Sequence, residues 1–491
     1  MSLPTSDPAT EPALPIRSRR SLQTFDIFDT LIARRCIEAR QIFDEVEART
    51  GLVGFAAARI EAEAQIQHRE YTLADIYGGL RRSLSLAEQA AEELMRTEVL
   101  IELENVVPIA GQIRELPQEA VLITDMYLPV PVIREMLRRA GIAHDYPILI
   151  AAHGKAGAQG FQCVHVGDNV SSDVRVARAC GMRARLTRVA TPSAFERFLL
   201  ARGAPAAARA LRAARLQTVA VGVPEWLYRL QFQLNLPFLL TSAIDLLHKA
   251  SASGSRKVLF ASRDGRNLQA AFEVLRDKFN ATGGLQAQYW YTSRYARTRS
   301  SPTYLGYCRE ALCEQALVAE LCGTGASMTA LMRDMPADTK VAFYVAQKLH
   351  DKGYRDRMAS CYGLGSSEQL LNVQHTFTTQ GFVDNGLLEQ LNYAPEGMVR
   401  DVLTSPFGAL PIRDAPDFDA QGLALIEAQQ RMLIGFLQTL KCELDDAASQ
   451  QLLQATPLTF AWLHESIGGL SAELGRLRVS LGADDASNEA L

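Results

Sequence analysis

The sequence predicts a two-part α/β protein: a doubly wound parallel sheet interrupted by a block of helices, followed by a second α/β domain. Three observations lead there. Short, mostly continuous apolar runs alternate with helical patterns, as strands buried on both faces of a parallel sheet require. A stretch of some seventy residues after the first run has only helical periodicity. The whole length, 491 residues, exceeds one ordinary domain.

The elements follow in order. Residues 1–20 carry four prolines and no apolar core, so they read as a disordered lead-in rather than a secretory signal. LQTFDIF is a buried strand that brings aspartates to its carboxyl end. Residues 37–104 are the helical insertion, with Thr72 a cap before LADIYGGL. The α/β rhythm resumes with strand AVLITD, helix PVIREMLRRAG, strands YPILIAA and FQCVHVGD, helix SSDVRVARACG and strand-like ARLTRVA. Thus residues 21–36 and 105–200 form one core. Residues 201–215, rich in Ala and Arg, are a linker or connecting helix; 216–480 form the second α/β domain, and 481–491 a polar tail. In that second part KVLFAS and QAQYWYTS read as strands, GRNLQAAFEVLRDKF, REALCEQALVAEL and IEAQQRMLIGFLQTLKCEL as helices.

Hydrophobic residues make up 48% and charged residues 22%, which excludes a disordered or fibrous chain. A formal net charge of −4 supplies no basic field for nucleic acid. The eight cysteines show no CxxC pair and read as free thiols. The longest apolar stretch, residues 232–247, is interrupted by Asn235, Pro237 and Asp245, so no membrane span is expected. The expected location is cytoplasmic.

Chemistry concentrates at strand ends, where open α/β sheets bind ligands. FDIFDT places Asp26 at the end of the first strand, with Asp29 and Thr30 beyond it; a carboxylate there can act as a nucleophile or cap a following helix. Thr124 and Asp125 end the next core strand, and Asp168 ends another, with Asp173 five residues later. Adjacent carboxylates repel one another, and a hard divalent cation such as Mg²⁺ compensates them, using carboxylates, water and phosphate oxygens as ligands.

These residues resemble the four motifs of the haloacid dehalogenase superfamily. The resemblance, over residues 21–191, implies that Asp26 is the nucleophile, with Thr30 in the same motif, that Thr124 holds a phosphoryl oxygen, and that Asp26, Asp168 and Asp173 hold Mg²⁺. Lys155, the only lysine in the first 248 residues, matches the third motif's phosphate-steadying lysine or is an ordinary loop lysine. The insertion then corresponds to a mobile cap that excludes water. Two positions depart from the pattern. Phe28 stands where the superfamily's phosphatases carry a second aspartate for proton transfer, as the dehalogenases' aromatic residue does. Asp29 takes over that role or starts a helix. The segment between Lys155 and Asp168 is short and Gly-rich, without room for the customary helix.

FDIFDTL, ITDMYLP and HVGDN with SDV resemble large two-part hydrolases of this superfamily found beside glycosyltransferases of bacterial surface-polysaccharide pathways. That implies a phosphatase acting on a phosphorylated sugar or related metabolite, with glycan-synthesis enzymes as partners. A catalytically impaired binding or assembly module, and glycosyl transfer by the second domain, are the alternatives. In the second domain, Arg263 and Asp264 follow one strand and Ser293, Arg294 and Arg297 another; they form either a phosphate or carboxylate pocket, with Arg263, Asp264 and Arg294 binding substrate, or a salt-bridge network. Asp384 and Gly386 mark a further strand-to-helix turn, read as an ordinary tight connection. The histidines, His153 and His165 among them, have no metal-ligand spacing.

Overall fold

A computed structural model describes residues 21–67, 71–150, 162–279, 284–312, 315–323, 327–328, 331, 334–335, 340–347, 377–379, 388–467, 476–477 and 479–481. The chain divides into two compact units, one of Met1–Ala33, Leu52–Leu103 and Gln112–Ala190, the other of Arg34–Gly51, Glu104–Gly111 and Thr191–Leu491. Residues Arg40–Thr50, inside the expected helical insertion, form a helix of the second unit; left-handed Gly51 (φ 71°) ends it.

The first unit contains β1 (Ser21–Asp26), β4 (Val121–Thr124), β5 (Ile148–Ile150), β6 (Gln162–Gly167) and β7 (Arg183–Leu186). Two short strands, β2 (Ile32–Arg34) and β3 (Val106–Pro108), lie outside that sheet. Its order is β5-β4-β1-β6-β7, with every neighbouring pair parallel. The chain runs outward from β1 to β4 and β5, then returns to the other side of β1 for β6 and β7. Direction therefore reverses between β1 and β6, the position at which an open α/β sheet leaves a crevice beyond its carboxyl ends.

Helices Phe55–Ala64, Leu73–Ser83 and Glu88–Glu104 follow the first strand, as expected for the insertion. Thr72 caps the second of them in a reciprocal capping box with Asp75. Buried Arg59 donates to both oxygens of buried Glu98, at 2.9 and 2.8 Å, and the Tyr77 hydroxyl donates to the same carboxylate. The Arg59 guanidinium also lies 5.2 Å over the Tyr127 ring, and Leu73 N–H donates to the Tyr127 carbonyl. These contacts tie the helices to the loop after β4.

The second unit contains β8 (Lys257–Ala261), β9 (Gln286–Trp290), β10 (Ala316–Gly323), β11 (Lys340–Gln347) and β12 (Phe377–Thr379), in the parallel order β12-β11-β10-β8-β9. Here the reversal falls between β8 and β10. The expected helix REALCEQALVAEL is overturned: Pro302–Ala311 is helical, whereas Ala316–Gly323 is the strand between β8 and β11. Leu317, Val318, Ala319 and Leu321 are all buried, and sheet packing on both faces overrides the helical preference of Ala, Leu and Glu. The Ala/Arg-rich segment forms helix Pro205–Gln217, whose buried Ala207, Ala208, Ala210, Ala213 and Ala214 permit close helix approach. The apolar stretch becomes helix Leu236–Ala252, buried over most of its length. Among the described residues no helix is long and apolar enough to cross a membrane.

Candidate functional site

The site begins at the end of β1. Phe25 of β1 and Ile27 just beyond the strand are buried, and Asp26, 5% exposed, pairs in register with Ile123 of β4. The Thr30 hydroxyl donates to Asp26 Oδ2 at 3.2 Å. Between them the chain turns tightly: Leu31 and Ile32 N–H donate to the Ile27 carbonyl, and Asp29 N–H donates to the Ile32 carbonyl at 2.7 Å. Asp29 sits at φ 55°, a left-handed conformation that Asp tolerates better than most residues. The turn leads into β2, and the next helix starts at Arg40. Asp26 and Asp29 consequently cap no helix, and the helix-start alternative is overturned.

Asp168 and Asp173 follow β6. The Asn169 side chain accepts from Ser171 and Ser172 N–H, capping a single wide turn over Val170–Val176. Asn169 and Asp173 are locked together, Asn169 N–H donating to Asp173 Oδ2 at 2.9 Å and Asp173 N–H to the Asn169 carbonyl. The Ser172 hydroxyl donates to Asp173 Oδ1 at 3.2 Å, and His165 Nε2 lies 3.3 Å from the same oxygen. Gly167 makes room for this: a Cβ there would lie 2.2 Å from Asp173 Cγ and Oδ2.

The two strand ends meet in one acidic cluster. Asp26, Asp168 and Asp173 each present a carboxylate oxygen, and these lie within 4.8 Å of one another. Asp26 and Asp173 are buried, Asp168 half-buried. Two oxygens bound to one Mg²⁺ ion stand at most about 4.2 Å apart, from bond lengths of about 2.1 Å. Three hard oxygen donors at this spacing suit a hard divalent cation by donor chemistry, Mg²⁺ after a small contraction.

Other sequence-derived positions fall out differently. Thr124 is buried at the end of β4, one residue beyond the partner of Asp26, and its Oγ1 accepts from Met126 N–H at 3.3 Å. Asp125 is exposed. Lys155 and His153, like Asp384 and Gly386, lie outside the described residues. His165 is the neighbour that sequence spacing missed. It faces Thr24 across β1 and β6, and the signal was two polar residues within adjacent buried strands.

In the second unit the strand-end arginines have acidic and aromatic neighbours. Arg263 donates to Asp417 at 3.0 Å and lies over the Tyr393 and Phe418 rings. Arg297 binds both oxygens of Glu320 at 2.9 Å. Arg266 pairs with Glu396 at 3.0 Å, while Arg294 is exposed. Asp264 precedes helix Gly265–Lys278 without capping it by its side chain. Burial, reinforced by Glu389 and Glu320, pushes its carboxyl well above the ordinary range. Of the strand-end arginines singled out in the sequence, Arg263 and Arg297 are thus ion-paired. No protein-family model matches the chain, and no curated protein matches it.

Proposed function

We propose that the first unit is a phosphohydrolase of the haloacid dehalogenase type, acting on a phosphorylated sugar or related small metabolite. The observation that carries the reading is the convergence of Asp26, Asp168 and Asp173 at the reversal point of a parallel sheet. Asp26 would attack phosphorus, forming an O–P bond as the bond to the leaving oxygen breaks; water then hydrolyses the aspartyl-phosphate and regenerates the carboxylate. Asp29 would give a proton to the leaving oxygen and recover one from the attacking water, in place of the aspartate replaced by Phe28. Thr124 and Lys155 would hold phosphoryl oxygens. Mg²⁺ held by Asp26, Asp168 and Asp173 would neutralise charge on the phosphoryl group.

The test is phosphate release from a panel of sugar phosphates, with and without Mg²⁺, comparing the natural chain with Asp26→Asn. Release should depend on Mg²⁺ and fall by at least about a thousandfold in the variant, as expected when a covalent nucleophile is removed. Undiminished release in Asp26→Asn sinks the proposal. One residue, Phe28, favours a second reading, in which the site binds a phosphorylated ligand without turnover. Sugar phosphates would then raise the melting temperature in the presence of Mg²⁺ while no phosphate appears.

A further inference from the structure

We propose that His165 is a positioning residue: it fixes the carboxylate of Asp173 in the orientation that binds the divalent cation. His165 is fully buried on β6, directly opposite Thr24 of β1. Both ring nitrogens are engaged, Nδ1 at 2.8 Å from Thr24 Oγ1 and Nε2 at 3.3 Å from Asp173 Oδ1.

The chemistry of the partners assigns the tautomer. An ionised carboxylate only accepts, so Nε2 carries the proton toward Asp173. In the neutral ring Nδ1 is then the acceptor for the Thr24 hydroxyl, which can also serve as a donor. The result is a buried chain, Thr24 to His165 to Asp173, that joins the strand bearing the nucleophile to the third acid of the cluster.

Other groups around Asp173 are its near neighbours in the chain. Asn169 N–H holds Oδ2, Ser172 holds Oδ1 from the adjacent residue, and Gly167 supplies only space. Those groups lie within six residues of Asp173, at the end of β6 and in the turn that follows it. His165, through Thr24, refers Asp173 to β1 and hence to Asp26. Partners of this kind behind a metal ligand change metal affinity by about 10–100-fold when removed.

The inference rests on the proposed metal centre, and the test separates the two. Mg²⁺ binding to the full chain is measured by calorimetry, alongside melting of the metal-free protein. His165→Asn keeps a polar group near Nδ1 but cannot reach Asp173; its Mg²⁺ dissociation constant should rise by about 10–100-fold. His165→Gln, whose longer amide places a donor near Nε2, should bind within a few-fold of the natural chain. A purely structural role would lower both melting temperatures and leave both affinities unchanged. Should His165→Asn fail to fold, Thr24→Val exchanges one hydroxyl for a methyl and should weaken Mg²⁺ binding by itself. Unchanged affinity in His165→Asn, or in Thr24→Val where His165→Asn does not fold, or equal losses in His165→Asn and His165→Gln, overturns the role of His165. If the natural chain binds no Mg²⁺, the metal centre itself falls.

Discussion

At the carboxyl end of β1, Asp26 lies with Asp168 and Asp173 so that one oxygen from each falls within 4.8 Å of the others. In the second unit, several acids around the carboxyl ends of β8 and β9 are matched by arginines, Arg297 with Glu320, Arg263 with Asp417 and Arg266 with Glu396, while Asp264 is held toward its protonated form by burial and by Glu389 and Glu320. Both sheets are parallel, and their order reverses beside β1 in one and beside β8 in the other, so topology alone does not separate them. Charge does. Gathered carboxylates repel one another, and a bound cation or proton relieves that repulsion. Matched pairs cancel their charge within the protein and read as architecture. A strand-end arginine is therefore evidence of an anion site only when its guanidinium is not already engaged.

The largest effect that would sharpen this contrast is expected at the buried pair. Glu320→Gln leaves the Arg297 guanidinium buried without its countercharge, and the second unit should lose about 3–5 kcal/mol in urea unfolding. A loss no larger than that of an exposed pair would break the architectural reading.

Gly167→Ala probes the acidic side. The new methyl overlaps Asp173 and must displace its carboxylate, so stability should fall by about 1–3 kcal/mol. Mg²⁺ affinity, followed by titration, should fall with it; an unchanged affinity would mean that Asp173 binds no cation.

Asp264 provides a pH-dependent contrast. Its carboxyl is raised by burial and by the charges of Glu389 and Glu320, so the folded state holds its proton more tightly than the unfolded chain does. Its stabilising contribution is complete below the ordinary carboxylate pKa of about 3.9 and is lost as pH rises through the raised value. Asp264→Asn removes that ionisation. Melting curves across the same range should decline less steeply in the variant, which should be the more stable protein at neutral pH; parallel curves would contradict this.

The smallest effect is expected from Arg263→Ala. Its partner Asp417 is partly exposed, and the pair with its ring contacts should contribute about 1 kcal/mol, read as a modest shift in melting temperature. A cost like that of Glu320→Gln would erase the distinction between buried and exposed pairs.

Much of the first sheet was legible because its information is local. β1, β4 and β6 are short apolar runs ending in Asp26, Thr124 and Gly167–Asp168, and burial on both faces demands such runs. Thr72 was legible as a cap for the same reason, its partner Asp75 being three residues away. REALCEQALVAEL was misread because a short apolar run looks alike in a buried strand and a buried helix. Asp29 was ambiguous because a left-handed turn leaves no periodic trace.

The sequence by itself determined an α/β protein, the positions of the main strand ends, and the acids and hydroxyls that those ends carry. Tertiary structure decided which of these groups meet and what opposes their charge. Asp26 and Asp173 are 147 residues apart in the chain, Thr24 and His165 are 141 apart, and Arg263 and Asp417 are 154 apart. Such pairs depend on strand order and register, which place remote residues side by side while local propensity and periodicity report only on near neighbours.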